Sequence, residues 1–438
     1  VRRYIAAHAY GNTVTVDFWS ALEAASSTPV VAIARDFTEQ PGVPLMTVDR
    51  MDCRNGRTVV TLHQDRFAVD ESAAEKLHWR VPVVVAVLGG GEARAVVDGA
   101  AEIAVQGCGT VKVNAGNAAY FRTRYPAEAF ERLDAAFARL APADQLGLLY
   151  DSRALGAAGL EPMADYLGLA ADVDADANPV VLLQIARAYA ELARLYRGEP
   201  GADRFASYAR ERLNEYFARV GWNERPGEPP NVAVLRGALI ETLAALGDAD
   251  VRTTAARRFA AAEKDAASLP GGIRRAVTRA VAMQADAAAW GKLRSLALAA
   301  PSALEQRFYL DALTYVQDDE LAARTLDFLV GPDVPKQLAP RLMLTVAREH
   351  PDLVWRFTVD RYAEIAARID ALQRYTLIPR LAASSAKLER ARELERLFGE
   401  RMPDAPRAGL ERAIDEIEAN ADVRTKRLRE IDAWLAAR

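Results

Sequence analysis

The sequence predicts a multidomain, mostly α chain in which a small antiparallel β-sandwich is followed by an α-solenoid of antiparallel, HEAT- or armadillo-like helices. Three observations predict it. Apolar residues repeat at helical spacing over residues 1–42, alternate with period two from Leu45 to Tyr125, and return to helical spacing from Pro126 onward. The middle stretch is made of short Val- and Thr-rich runs separated by Gly, Asn and Asp, the pattern of several short strands. In the last stretch, breaks at Gly, Pro or Asp recur roughly every 15–25 residues, the length of one helix and its turn in a repeat array. The divisions expected are therefore 1–43, 44–125 and 126–438.

The first division reads as three short helices. Tyr4, Ile5 and His8 share a face in the first, which Gly11-Asn12 ends. Phe18, Trp19, Leu22 and Ala25 form a stripe in the second, and Pro29 opens the third, where its missing N–H costs nothing. Three such helices cannot bury their own faces, so they are expected to pack on something else. In the second division Gly89-Gly90-Gly91 is the Gly-rich run. The residues after it, Glu92 to Gly99, alternate like a strand, so it reads as a hairpin turn and not as a phosphate loop ahead of a helix. In the third, Leu182, Ile185, Tyr189, Leu192 and Tyr196 line one helical face.

A net charge of −4, with acidic residues interleaved among the arginines, argues against a nucleic-acid surface. No apolar run reaches the roughly 18–20 residues that cross a bilayer. Two cysteines without a CxxC indicate no disulfide framework and make a reducing compartment the default. A Cys53–Cys108 bridge between neighbouring strands stays open, since sequence cannot show whether their Cβ atoms meet. These features favour a soluble, cytoplasmic location.

Chemistry is scarce. The four histidines, His8, His63, His78 and His350, include no i, i+4 pair, and no His-Glu-x-x-His string occurs. No serine sits in a GxSxG elbow. Asp318-Asp319 and Glu416 with Glu418 read as helix caps and surface charge. His350, before Pro351, falls where a helix C-terminus favours a cation. No catalytic and no metal-ligating residue is assigned.

Several strings in fixed order nevertheless carry a resemblance. Tyr10-Gly11-Asn12-Thr13-Val14-Thr15 with Phe18-Trp19-Ser20-Ala21-Leu22 comes first, followed by Thr38-Glu39-Gln40-Pro41-Gly42-Val43-Pro44, Gln64-Asp65-Arg66-Phe67 and Trp79-Arg80-Val81-Pro82. Then come Val113-Asn114-Ala115-Gly116, Tyr120-Phe121-Arg122 and Tyr125, then Leu146-Gly147-Leu148-Leu149 with Asp151 and Ala154-Leu155, and finally Glu411 to Trp434. Together they resemble the C-terminal portion of zinc aminopeptidases of the aminopeptidase N and puromycin-sensitive type. Asn117-Ala118-Ala119 stands where that family usually places a glycine before the tyrosine.

The resemblance implies a layout. Residues 1–43 would be the helical tail of a catalytic domain lying upstream, and the sandwich a spacer. The helical repeats would shape and cap a chamber for peptide substrates. The missing N-terminal catalytic domain is the implied partner, and zinc is implied there, with no cofactor in this chain. The chain is accordingly expected to bind no zinc and hydrolyse nothing by itself. Arg374, Tyr375 and Arg380, two arginines and an aromatic within two turns, are the candidates for holding a peptide carboxylate. The alternative is a free-standing sandwich-plus-solenoid module that binds peptide or protein without reaction.

Overall fold

The computed structural model describes residues 1–68 and 77–438. They form two compact units, Val1–Asp172 and Val173–Arg438.

The first unit opens with α1 (Arg2–Ala7), α2 (Thr15–Glu23) and α3 (Val30–Thr38). Neither α1 nor α2 contains a buried residue, and Ile5, Tyr10 and Val14 are exposed. The end of α3 is tied to the strand that starts at Arg80: Asp36 accepts the Arg80 backbone N–H at 2.9 Å, and Gln40, just after α3, donates to the His78 carbonyl at 2.8 Å.

Among the described residues seven strands come next: β1 (Val43–Arg54), β2 (Arg57–Phe67), β3 (Arg80–Val87), β4 (Glu92–Asp98), β5 (Ala100–Gln106), β6 (Val111–Val113) and β7 (Arg122–Arg124). One sheet runs β5-β2-β1-β7 and the other β4-β3-β6. Pairing is antiparallel except for the short parallel β1–β7 contact. Burial alternates strictly along β3, so Val81, Val83 and Val85 enter the core with Met46, Val60 and Leu62 of the other sheet. The β1–β2 hairpin turns on Asn55-Gly56. Both residues have positive φ (51° and 74°), which this two-residue turn requires and which Asn and Gly tolerate. Gly89–Gly91 sit in the turn between the antiparallel β3 and β4, as the alternation after them predicts.

The cysteine expectation needs correction. Cys53, near the end of β1, is bridged to Cys108, just after β5, with Cα atoms 5.6 Å apart. Their strands flank β2 on either side, which brings together two residues far apart in sequence.

The stretch from Thr110 to Tyr125 ties the sandwich to α4 (Ala127–Asp134), α5 (Pro142–Ala158) and α6 (Met163–Ala171). Asn114 closes its loop by donating to the Ala119 carbonyl at 2.9 Å and accepting from the Ala119 N–H at 3.0 Å. Asp144 of α5 accepts the Gly116 N–H at 2.7 Å, and Asp151 accepts that of Thr123 at 3.1 Å. Asn117 adopts φ 50°, so asparagine takes the left-handed backbone conformation that glycine normally supplies.

The second unit is helical throughout: α7 (Pro179–Leu195), α8 (Ala202–Val220), α9 (Pro230–Ala245), α10 (Ala249–Lys264), α11 (Gly271–Met283), α12 (Ala287–Leu298), α13 (Ala303–Leu313), α14 (Asp319–Val330), α15 (Ala339–Glu349), α16 (Pro351–Asp360), α17 (Tyr362–Ala366), α18 (Ala371–Ala383), α19 (Leu388–Arg401), α20 (Ala408–Asp422) and α21 (Leu428–Ala436). Side chains cap many of the starts, as Asp248, Asp286, Ser302, Asp318 and Asp370 accept backbone N–H groups. Alternate helices α7, α9, α11 and α13 pack side by side as one layer.

This array returns on itself. A π-turn at Val423–Arg427 leads into α21, which packs on α8. The Tyr196 hydroxyl lies 3.1 Å from the Leu428 carbonyl and 3.0 Å from Asp432, and the Tyr208 and Trp434 rings meet edge to face. A Cβ on Gly201 would run into the Asp432 carboxylate, so any larger residue there would have to displace that side chain. The beginning and end of the helical unit are thus in contact, which an open solenoid does not require.

Candidate functional site: an arginine-rich cavity in the helical unit

The second unit carries a half-open cavity of about 1140 Å³. Its lining comes from α7, α9, α11, α13 and α15, together with Tyr315 just beyond α13. These are alternate helices, so the cavity belongs to one layer of the array, and the intervening helices form the other. Small residues such as Ala190, Gly237, Ala238, Gly271 and Gly272 keep it open. Nothing lies within 4 Å of where a side chain on Gly271 or Gly272 would begin.

The wall is dominated by arginine. Arg279 of α11 donates to Glu241 of α9 at 3.0 Å and to Asp311 of α13 at 2.7 Å, and stacks over the Tyr315 ring with its guanidinium 4.4 Å from the ring centre. Burial alone would lower the proton affinity of Arg279, but the two carboxylates outweigh it and raise its pKa. Burial also pushes the Glu241 carboxyl up, against the pull of Arg279. Arg274 contacts Glu305 and lies across the Phe308 ring. Arg194 of α7 and its neighbour Arg197 hold Glu349 at 2.8 and 2.9 Å. Glu349 is buried, which would raise its pKa, yet the two arginines prevail and hold it below the usual range. Arg187, Arg275, Arg307, Arg341 and Arg348 are exposed and form no ion pair among the described residues.

Sequence reasoning missed this cavity. A signal was present: Arg187 and Arg194, and likewise Arg341 and Arg348, are seven residues apart, which places each pair on one helix face. It was hidden because the two pairs lie on helices far apart in the sequence, α7 and α15, and only the fold brings them to one wall. Of the residues singled out from the sequence, Arg374 and Tyr375 are half-buried on α18, and Arg380 is exposed there. None of the three is part of this lining, but Arg380 and the cavity residue Arg348 both act on Glu416, whose pKa burial raises and the two arginines lower. The Nε of Arg374 is buried with no hydrogen-bond partner among the described residues.

The histidines are spent on structure. His63 lies between Asp49 at 2.7 Å and Asp65 at 3.1 Å; its bond to Asp49 is the main reason its pKa is raised. His78 meets Asp98. His350, at the end of α15, bonds to Asp319 and to the Val316 carbonyl, both at 2.7 Å, and so locks the turn ahead of α14. Among the described residues no three His, Cys, Asp or Glu side chains converge as a metal site, so the donors present do not fit zinc. No helix among them is long and apolar enough to cross a membrane.

Comparison with known proteins bears on this geometry. The family profile described as the ERAP1-like C-terminal domain matches residues 110–419. Aminopeptidase M1 of Arabidopsis thaliana is 26% identical over 451 residues, covering 96% of this chain and 50% of its own length. Aminopeptidase N of Lactococcus lactis subsp. cremoris is 24% identical, covering 76% of this chain and 40% of its own. Tricorn protease-interacting factor F2 of Thermoplasma acidophilum is 26% identical over 60% of the chain and 32% of its own length. The chain thus spans about half the length, or less, of the curated relatives it matches. Helical repeats behind a small sandwich and a match from the end of that sandwich almost to the last helix agree with one another: the chain belongs to the ERAP1-like C-terminal domain family, the C-terminal portion of aminopeptidases of the M1 and aminopeptidase N type.

Proposed function

We propose that this chain is the non-catalytic C-terminal part of a zinc-dependent aminopeptidase, and that its helical unit shapes and caps the chamber in which the parent enzyme holds peptides. The observation that carries this reading is the cavity in the helical unit, within the stretch matched by the family profile. A groove of this volume takes a segment of peptide chain, and its arginine forks and aromatic faces offer partners for carboxylates and side chains. Zinc belongs, on this reading, to the catalytic domain, because the described residues of this chain offer no donor set for it.

The three-part division at residues 43 and 125 is retained as a functional one. Exposed Ile5 on α1 and exposed Tyr10 and Val14 between α1 and α2, two helices without buried residues, support the catalytic domain as the partner of the first division. Arg374, Tyr375 and Arg380 are proposed to hold peptide beside the cavity, since Arg380 shares Glu416 with Arg348. The bridged cysteines run against the cytoplasmic expectation, and an oxidising compartment is the better fit.

The test is complementation. This chain is mixed with a separately expressed polypeptide carrying the half of the relatives' length that it does not match. Stable association with chelator-sensitive aminopeptidase activity is expected, and neither component alone should turn over an aminoacyl anilide. Absence of association, with peptide still bound by this chain, would support the free-standing module instead.

A further inference from the structure

Resting on the reading that the cavity holds peptide, we propose that it selects peptides bearing carboxylate side chains. The argument is one of charge placement. Eight arginines line the cavity against four carboxylates. All four carboxylates face arginine of the same wall: Glu241 and Asp311 are held by Arg279 and Glu305 by Arg274, and Glu191 acts on Arg194. Five arginines remain exposed and outside any ion pair among the described residues: Arg187 of α7, Arg275 of α11, Arg307 of α13, and Arg341 and Arg348 of α15. Arg275 feels Glu241 and Arg348 feels Glu416, both only at a distance beyond contact.

This excess opposes the charge of the whole chain, which is −4. An acidic peptide meets a net negative charge on the chain as a whole and an excess of positive charge in the cavity, so binding there is not an effect of overall basicity. The free arginines come from four helices around a wide space and do not converge on one point. That arrangement suits several carboxylates spaced along an extended chain better than a single anion. Each guanidinium presents a planar fork to a carboxylate, and Phe308 and Tyr315 supply faces for intervening side chains.

Fluorescence anisotropy with the 438-residue chain tests this. The probes are two amino-terminally labelled, carboxy-terminally amidated decapeptides, identical except that three glutamates in one are glutamines in the other. Amidation removes the terminal carboxylate from the comparison. At about 0.1 M salt the glutamate peptide should bind about tenfold tighter or more, and lose that advantage as salt is raised. Combining Arg307→Gln with Arg341→Gln should reduce it to the affinity of the glutamine peptide, which itself stays unchanged. Arg412→Gln, on exposed α20 surface, should alter neither. Gly272→Phe, which fills the cavity without changing its charge, should weaken both peptides.

Equal affinities, both abolished by Gly272→Phe, would overturn the selection for acidic peptides while leaving the cavity as a peptide site. Discrimination that survives the double arginine variant would overturn the assignment to this cavity. Failure of a folded chain to bind either peptide would overturn both this inference and the reading on which it rests.

Discussion

Arg279 of α11 donates to Asp311 of α13 at 2.7 Å, so one guanidinium joins two helices of the layer that lines the cavity. The same side chain also holds Glu241 of α9, and all three groups are mostly buried. Arg279→Met leaves two carboxylates without their cation in a partly desolvated wall. A loss of about 2–4 kcal/mol in the stability of the helical unit is expected from urea denaturation, with little change if Asp311→Asn and Glu241→Gln are introduced at the same time.

Closure of the helical unit makes a second prediction. Tyr196→Phe removes the hydroxyl that meets the Leu428 carbonyl and Asp432. The expected cost is about 1–2 kcal/mol, accompanied by faster amide exchange in α21. Unchanged exchange in α21 would mean that the contact between the ends of the array contributes nothing.

The bridge between Cys53 and Cys108 predicts no thiol reactive toward a thiol reagent under non-reducing conditions, and two after reduction. Both residues are exposed, so a reductant should reach them without prior unfolding. The bridge encloses a long loop (sequence separation 55), and breaking it should cost the first unit about 2–4 kcal/mol, read as a lower Tm for that unit.

Individual buried carboxyls should respond to pH in opposite directions. In the first unit, burial raises the Asp151 carboxyl to about 6 and that of Glu161 to about 8. Folded carboxyls that hold their protons more tightly than unfolded ones make the folded state most stable in acid. Stability is lost as pH rises from the ordinary carboxyl range, about 4, through about 6 and about 8. The Tm of the first unit should therefore fall between pH 5 and pH 8, and Glu161→Gln should flatten that slope. Glu349 in the second unit runs the other way. Its depressed pKa gives stability that is present at neutral pH and lost as pH falls through the folded value. Scanning calorimetry of the wild type and Glu161→Gln between pH 5 and pH 8, and of the wild type and Glu349→Gln as pH is lowered below about 5, checks the signs.

Much of the fold was legible because period-two and helical spacing are set by which faces must be buried. β3 alternates buried and half-buried without a break, and the predicted apolar face of α7, Leu182 to Tyr189, is fully inside. The cysteine pairing was not legible, since it depends on β1 and β5 flanking β2, and sheet order is a long-range property. Nor was the cavity, because the pattern of one helix does not say which of two polar faces turns toward the next repeat. Arg187 and Arg341 read as surface charge until α7 and α15 are brought to the same wall.

On the proposed reading the helical unit holds peptide, and the chemistry takes place in the catalytic half. The most direct measurement compares kcat/KM for an aminoacyl anilide and for a decapeptide, using this chain reconstituted with the catalytic half, as wild type and as Gly272→Phe. The account predicts that filling the cavity lowers kcat/KM for the decapeptide about tenfold or more and leaves the anilide unaffected. Equal effects on both substrates, or none on either, would contradict it.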